Sequence, residues 1–238
     1  MSKPQRIEVF PSEGVVKFPW YVGHKEIGYN SGNGCLPACV TTLILYWRDF
    51  LEQQRHAVRW SIPSGFSDSF WSDAWRKARE QAACLVSMKG TDLEGLMKEP
   101  RNSEIPVLLD LVGAKDDLVF VSEANTKNLM ETVRGFCHSA IPCMLVMDPS
   151  RFYGLPLPGG ASSHCVVAMA VGPRGDWLRI YDPSRRYPKT IWKQESSDHI
   201  NESLNANHLL LTIYPKGVYR MHQIPVQQSL IQSEGVTW

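Results

Sequence analysis

The chain has 238 residues, 43% of them hydrophobic and 21% charged, and 25 basic against 24 acidic residues leave a net charge of +1. This length and hydrophobic content allow a sizeable core, and the lack of a basic cluster argues against a nucleic-acid partner. The first residues contain no apolar run, and no stretch approaches the roughly 20 apolar residues of a membrane span. The sequence therefore predicts a cytoplasmic protein with no membrane partner, although a specialised secretion route would leave no signal of this kind.

The first half of the sequence is predicted to be mainly helical. A loop rich in Gly, Ser and Asn ends at Cys35, and from Val40 to Leu51 apolar residues recur at i, i+3, i+4 and i+7. This spacing predicts an amphipathic helix that begins at or just before Cys35 and ends at about Gln53. Pro37 fits its first turn, where the missing N–H costs nothing. Further helices are predicted at residues 69–84, 91–98 and 126–138, with a possible strand at 117–121.

The second half is predicted to form an antiparallel sheet. Short apolar segments bounded by Gly, Pro, Asp or Ser indicate strands, and residues 172–176 form a predicted turn between two of them. Residues 148–163 are predicted to form a long loop rich in Pro and Gly, and loops of this length are often functional. The predicted strands are residues 142–147, 164–171, 177–181, 208–214 and 217–224.

The order of the elements predicts the architecture. Helices followed by strands are typical of an α+β fold. We expect one domain, with a helical part over residues 1–138, a sheet part over residues 139–225 and a tail over residues 226–238. A cleft between the two parts is the predicted position of a functional site.

Cys35 is the candidate nucleophile. At the start of a helix, unpaired N–H groups and the helix dipole stabilise a thiolate, which is the reactive form of cysteine. The chain has six cysteines, and in a protein of this length without an export signal they are expected to be reduced. Cys39 lies one turn deeper in the same helix and is expected to be a packed thiol.

His164 and Asp182 are the candidate base and its orienting acid. A reactive thiol needs a base, and the base needs a group that holds it in the right tautomer. His164 begins one predicted strand, and Asp182 ends the next. A turn centred on Arg174 places His164 opposite about Pro183, so the hairpin brings the two candidate side chains together. The thiol then comes from the helical part and the base from the sheet part, as expected for a site in the cleft.

Three segments, in this order along the chain, resemble one family. Residues 33–40 read NGCLPACV, residues 140–146 read AIPCMLV, and residues 163–183 begin with Ser-His-Cys-Val-Val and end with Asp-Pro. They are similar to the nucleophile segment, the Gly-x-Pro strand and the His-to-Asp segment of the bacteriocin-processing (double-glycine leader) group of papain-like cysteine peptidases. The resemblance implies a papain-like fold, a site of Cys35, His164 and Asp182, and thiol-dependent cleavage of amide bonds.

The resemblance also implies an oxyanion hole. The family has a glutamine about six residues before the cysteine and a glycine directly after it, whereas this chain has Tyr29 and Leu36 at these places. Asn30 carries the same side-chain amide, so we expect it to donate to the oxyanion together with the backbone N–H of Cys35, with Asn33 as the alternative donor. The two departures leave room for a slow enzyme, or for an inactive binding module on the same fold.

The predicted function is hydrolysis of a peptide or isopeptide bond in a protein or peptide substrate, through a thioester on Cys35. This chemistry needs no metal or organic cofactor. The segment 151–163 is expected to flank the cleft, with Tyr153, Gly160 and Ser163 as the candidates for substrate binding. Acyl transfer to an amine and cleavage of a non-peptide amide are alternatives on the same three residues.

A zinc site is an alternative of another class. Cys35 with Cys39, and Cys137 and His138 with Cys143, supply the residue types that bind zinc. The paired short-spacing motif of the usual zinc finger is missing, which disfavours this alternative. Nothing in the sequence predicts an oligomeric state.

Overall fold

The helices lie mainly in the first half of the chain and the strands mainly in the second. The helices are α1 (Cys35–Gln53), α2 (Asp68–Met88), α3 (Glu104–Leu111), α4 (Leu129–His138), α5 (Pro149–Tyr153) and α6 (Ser197–Ser203). The strands are β1 (Leu118–Glu123), β2 (Cys143–Met147), β3 (His164–Val171), β4 (Trp177–Tyr181), β5 (Trp192–Ser196) and β6 (Leu210–Pro215). The computed structural model describes residues 22–23, 34–53, 56–88, 104–123, 129–138, 141–154, 163–172, 174–184, 192–204 and 210–216.

The strands form a six-stranded sheet in the order β1-β6-β2-β3-β4-β5, and every neighbouring pair is antiparallel. β6 lies between β1 and β2, although it follows both in sequence: Val119 of β1 pairs with Tyr214, and Cys143 of β2 pairs with Thr212. All residues of β6 are buried, as are most of those of β3. Because successive side chains of a strand point to opposite faces, both faces of the sheet are covered at these two strands.

α1 carries the candidate nucleophile and is buried over most of its length. Its residues from Leu36 to Arg48 are buried, which is typical of a core helix with apolar residues on all sides. α1 packs against β3 and β6. The indole Nε1 of Trp47 donates to the carbonyl of Ile213 in β6 at 2.5 Å. These contacts fix α1 against the sheet.

Many of the predicted elements are confirmed. The helix from Cys35 to Gln53 and the strands 164–171 and 177–181 have the predicted bounds. α3, β5 and α6 are additional to the predicted elements, and α5 lies inside the segment 148–163 that was predicted to be a loop. The predicted helix at 91–98 and the predicted strand at 217–224 lie outside the described residues.

The hairpin of β3 and β4 has about the predicted register. Val167 pairs with Tyr181, as a turn centred on Arg174 predicts. The register shifts between Ala168 and Ala170, where β3 is irregular. A bulge adds one residue to one strand of a pair, so the pairs nearer the turn, such as Val171 with Leu178, are displaced by one residue.

The sheet contains a strand from the part of the chain that was predicted to be mainly helical. β1 pairs along its whole length with β6. The fold is α+β, and its antiparallel sheet draws strands from both predicted parts. None of the described helices combines the length and the hydrophobicity that a bilayer crossing requires.

Candidate active site

Cys35 is the first residue of α1 and is half-buried. The helical hydrogen bonds begin just before it, because the carbonyl of Gly34 accepts from the backbone N–H of Ala38 at 2.9 Å. The N–H groups in the first turn of a helix have no partner within the helix. A thiolate on Cys35 therefore lies at the positive end of the α1 dipole.

His164 is the first residue of β3 and is buried, with 6% of its surface exposed. Its backbone pairs with Met147 of β2. The ring nitrogen Nε2 lies 2.9 Å from Oδ1 of Asp182, and the Cys35 side chain is close enough to the ring to raise its pKa. With Nε2 at Asp182, Nδ1 is the ring nitrogen that remains for Cys35.

Asp182 directly follows β4 and is buried, with 2% exposed. Besides Nε2 of His164, its Oδ1 accepts from the backbone N–H of Ser184 at 2.9 Å and from the Ser184 hydroxyl at 2.7 Å. Its Oδ2 accepts from the hydroxyl of Tyr153 at 2.8 Å. Donors of this kind compensate an ionised carboxylate for the loss of water. Asp182 is therefore a fixed anion behind the histidine ring.

The charges of His164 and Asp182 stabilise each other. Burial by itself lowers the pKa of His164, but the hydrogen bonds to Asp182 and Cys35 and the charges of these groups outweigh it and raise that pKa to about 10. Burial by itself raises the pKa of Asp182, but His164 and Ser184 outweigh it and hold that pKa well below its usual range. The ring is therefore an imidazolium at neutral pH.

The pH dependence of stability is expected to report this ion pair. The pKa of His164 rises on folding, so its contribution is complete below about pH 6.5 and is lost as the pH rises toward about 10. The pKa of Asp182 falls on folding, so its contribution is lost as the pH falls below 3.8. We expect wild type and H164Q to differ in free energy of unfolding by up to about 4 kcal/mol near pH 6, and by much less near pH 10.

Denaturant unfolding of both proteins at the two pH values measures this difference. His199→Gln is the matched control, because it removes a histidine that is not part of the ion pair. A difference between wild type and H164Q that stays constant or grows from pH 6 to pH 10 would contradict the assigned charges.

The residues predicted to bind substrate differ in where the structure places them. Tyr153 is the last residue of α5, its hydroxyl contacts Asp182, and its ring centre lies 5.6 Å from that of His164. Ser163 is exposed and directly precedes His164. Gly160 lies outside the described residues. Substrate binding by these three residues stays a prediction.

The predicted oxyanion donors Asn30 and Asn33 lie outside the described residues, as does Tyr29. Leu36, which stands where the family has a glycine, is buried in the core with 6% exposed. This departure therefore places an apolar side chain inside the protein and not in the solvent beside the thiol.

All six cysteines are free thiols. Cys39 is buried and donates to the carbonyl of Cys165 at 3.4 Å, as expected for a packed thiol. Cys137 and Cys143 are buried, and the neighbouring Cys137 together with burial raises the pKa of Cys143. In the part of the chain that the structure describes, no three His, Cys, Asp or Glu side chains are grouped so that they could hold a metal ion.

Ser184 was not predicted to contribute to the site, and α5, which carries the predicted site residue Tyr153, was not predicted to be a helix. Ser184 binds the carboxylate two residues before it, and an Asp-Pro-Ser sequence is a signal for such a turn. α5 begins after Asp148, whose side chain accepts from backbone N–H groups of the first turn, with Pro149 at the first helical position. It ends at Gly154, which has φ 68°. An N-terminal Asp-Pro and a C-terminal Gly are sequence signals for a short helix.

Comparisons with known proteins add little to this geometry. No protein-family model matches the chain, and no curated protein matches it. Among solved structures, the chain is similar to a crystal structure of a "putative C39-like peptidase" from Bacillus anthracis, with 10% identity and a TM-score of 0.33. The match covers 47% of this chain and 57% of that one, so the chain spans little more than half of its length.

Proposed function

We propose that the chain is a cysteine hydrolase with a papain-like fold that cleaves amide bonds in a protein or peptide substrate. One observation carries the proposal: the Cys35 side chain at the start of α1 meets the ring of His164, whose Nε2 lies 2.9 Å from Oδ1 of Asp182. A nucleophile, a base and a group that orients the base are the parts that nucleophilic catalysis requires.

Attack by the Cys35 thiolate on the carbonyl carbon is the first step. A carbon–sulfur bond forms, and the electron pair of the C=O double bond moves to the oxygen. Backbone N–H groups at the start of α1, with Asn30 as the proposed side-chain donor, stabilise this oxyanion. The carbon–nitrogen bond then breaks while the proton on Nδ1 of His164 passes to the leaving amine. The acyl group remains on Cys35 as a thioester.

Hydrolysis of the thioester completes the cycle. Neutral His164 accepts a proton from water at Nδ1 as the water oxygen attacks the thioester carbon. Breakage of the carbon–sulfur bond releases the carboxylic acid product and restores the thiolate beside an imidazolium. Asp182 accepts from Nε2–H in every step, so Nδ1 is always the nitrogen that faces the reacting atoms.

The charge state of His164 supports this order of steps. Its raised pKa means that the ring already carries a proton at neutral pH, and a neighbouring imidazolium stabilises a thiolate. The nucleophile is then formed before the substrate binds, and the acid that the leaving amine needs is already in place.

Alkylation of the native protein tests the reactive pair, and Cys84 provides an internal reference. Cys84 is an exposed thiol on α2. We expect iodoacetamide at neutral pH to modify half-buried Cys35 about tenfold faster than Cys84, because the thiolate fraction governs the rate more than exposure does. Peptide mapping by mass spectrometry after short exposures measures both rates. Modification of Cys84 at an equal or higher rate would contradict the proposal.

Hydrolysis is tested on the same preparation. Wild type incubated with a complex peptide mixture is expected to generate new amino termini, and Cys35→Ala is not. New termini that appear equally with both proteins would come from a contaminating peptidase. A reactive Cys35 that generates no new termini and no free carboxylate would limit the chain to thiol chemistry without amide cleavage.

A further inference from the structure

The hydroxyl of Tyr153 contacts the carboxylate of Asp182, and the ring of Tyr153 lies beside the ring of His164. Its Oη lies 2.8 Å from Oδ2 of Asp182 and 2.7 Å from Oγ of Ser184. The ring centres of Tyr153 and His164 are 5.6 Å apart, with their planes inclined by 45°. Tyr153 is half-buried, so it lies between these groups and not free in solvent.

α5 holds Tyr153 in this position. Asp148 caps the start of the helix by accepting from backbone N–H groups of the first turn, and Gly154 ends it in a left-handed conformation with φ 68°. The neighbouring Phe152 is 6% exposed, and its carbonyl forms a hydrogen bond with Nε2 of His199 at 3.2 Å. The backbone that carries Tyr153 is therefore anchored at both ends and in the middle.

The hydroxyl of Tyr153 binds the oxygen atom of the Asp182 carboxylate that His164 does not contact. Oδ1 of Asp182 binds Nε2 of His164 and both the N–H and the hydroxyl of Ser184, whereas Tyr153 binds Oδ2. The χ2 torsion of an aspartate is broad, so contacts to one oxygen leave its plane weakly defined. A donor on the other oxygen fixes that plane.

The number of protons favours Tyr153 as the donor to Asp182. Three oxygen–oxygen contacts of 2.7 to 2.8 Å join Asp182, Tyr153 and Ser184, and with an ionised carboxylate only two hydroxyl protons are present for them. A phenol, with an ordinary pKa of about 10, is a stronger acid than an alkyl hydroxyl. The carboxylate therefore takes its strongest hydroxyl hydrogen bond from Tyr153.

We propose that Tyr153 is a positioning residue whose hydroxyl fixes the Asp182 carboxylate in the plane that keeps Nδ1 of His164 directed at Cys35. This inference rests on the proposed function, in which Nδ1 must face the thiol in every step. It gives Tyr153 a role behind the reacting atoms instead of the predicted role in substrate binding.

Tyr153→Phe tests the role of the hydroxyl, because it keeps the ring that lies against His164. Tyr181→Phe is the matched control: it removes a buried hydroxyl next to Asp182 in sequence that binds the backbone of Val22. An NMR pH titration of ¹⁵N-histidine-labelled protein, with H164Q to assign the signals, follows the ring of His164. The rate of Cys35 alkylation between pH 6 and pH 10 follows the thiol.

With Y153F, we expect the pKa of His164 to fall from about 10 toward its ordinary 6.5. We also expect alkylation of Cys35 at pH 8 to slow by about 10- to 100-fold, the factor that corresponds to one hydrogen bond to a charged group. Y181F is expected to leave both readouts unchanged even if it lowers the melting temperature.

An unchanged His164 titration in Y153F would overturn the positioning role. A rise in the pKa of His164 would overturn it too, because the hydroxyl would then only weaken the charge of a carboxylate that stays in place without it. If Y153F does not fold, Ser184→Ala decides, since it removes the hydroxyl that supports both Tyr153 and Asp182. A partial fall in the pKa of His164 is expected, and no change would overturn the inference.

The same data separate this inference from the proposed function. A titration of His164 that responds to Y153F, in a protein whose Cys35 reacts no faster than Cys84 and cleaves no peptide, would keep the positioning role and reject the hydrolase. If Cys35 is reactive and peptides are cleaved, but neither activity responds to Y153F, the hydrolase would be kept and the positioning role rejected.

Discussion

His164→Ala is expected to lower amide hydrolysis by about 10²–10⁴-fold, the contribution typical of a positioned acid or base. The variant removes both the imidazolium that stabilises the Cys35 thiolate and the proton that the leaving amine needs. Alkylation of Cys35 at neutral pH is therefore expected to fall to the rate of an ordinary thiol such as Cys84. Initial rates of peptide cleavage and of iodoacetamide modification measure the two losses separately.

His199→Ala is the control for this experiment. The ring of His199 stacks on Phe152 at 5.8 Å and binds the Phe152 carbonyl, and the Phe152 ring lies 6.4 Å from His164. The control therefore disturbs the packing next to the site but leaves the proton carrier in place. We expect little change in either rate. Equal losses in the two variants would mean that packing, and not the chemistry of His164, governs the reactivity of Cys35.

Asp182→Ala is expected to damage the protein far more than Asp182→Asn. Alanine leaves the His164 cation buried without its partner, which typically costs about 3–5 kcal/mol of stability. It also lets the ring turn, so we expect hydrolysis to fall by about 10²–10⁴-fold, as for loss of the base itself. Denaturant unfolding and initial rates of peptide cleavage measure the two effects.

The asparagine variant can keep the orientation of the ring. Three donor groups of His164 and Ser184 converge on Oδ1, which favours the amide oxygen at that position. The amide nitrogen then faces Tyr153, whose hydroxyl oxygen can accept its proton. The ring keeps its tautomer but loses the neighbouring charge, so we expect a loss of about tenfold, near the value of one charged hydrogen bond. A loss as large as that of the alanine variant would mean that charge matters more than orientation.

Sequence patterns predicted the parts of the fold and site that are determined by interactions between residues close together in the chain. The loop that ends before Cys35, Pro37 in the first turn and the apolar spacing from Val40 to Leu51 were sufficient for the bounds of α1, and hence for Cys35 at its start. The run of β3 and the turn before β4 were sufficient to bring His164 next to Asp182. In both cases the signal lies within one element or one hairpin.

The parts that were missed depend on single residues or on distant partners. The irregularity between Ala168 and Ala170 in the hairpin has no periodic signal in the sequence. α5 has only 5 residues, too few to show a helical repeat, so the Pro and Gly at its ends were read as signs of a loop. The contact of Tyr153 with Asp182 joins residues on separate elements, and no local pattern indicates it.

The insertion of β6 between β1 and β2 has a consequence for the newly made chain. β1 ends at Glu123, and its partner β6 begins at Leu210. At about 5–20 residues per second, roughly 5–20 s of synthesis separate the two strands on the ribosome. The last turns of α1 also wait for β6, because Trp47 binds the carbonyl of Ile213. Cys35 and His164 therefore reach their final geometry late, and the emerging polypeptide carries an ordinary thiol until the sheet closes.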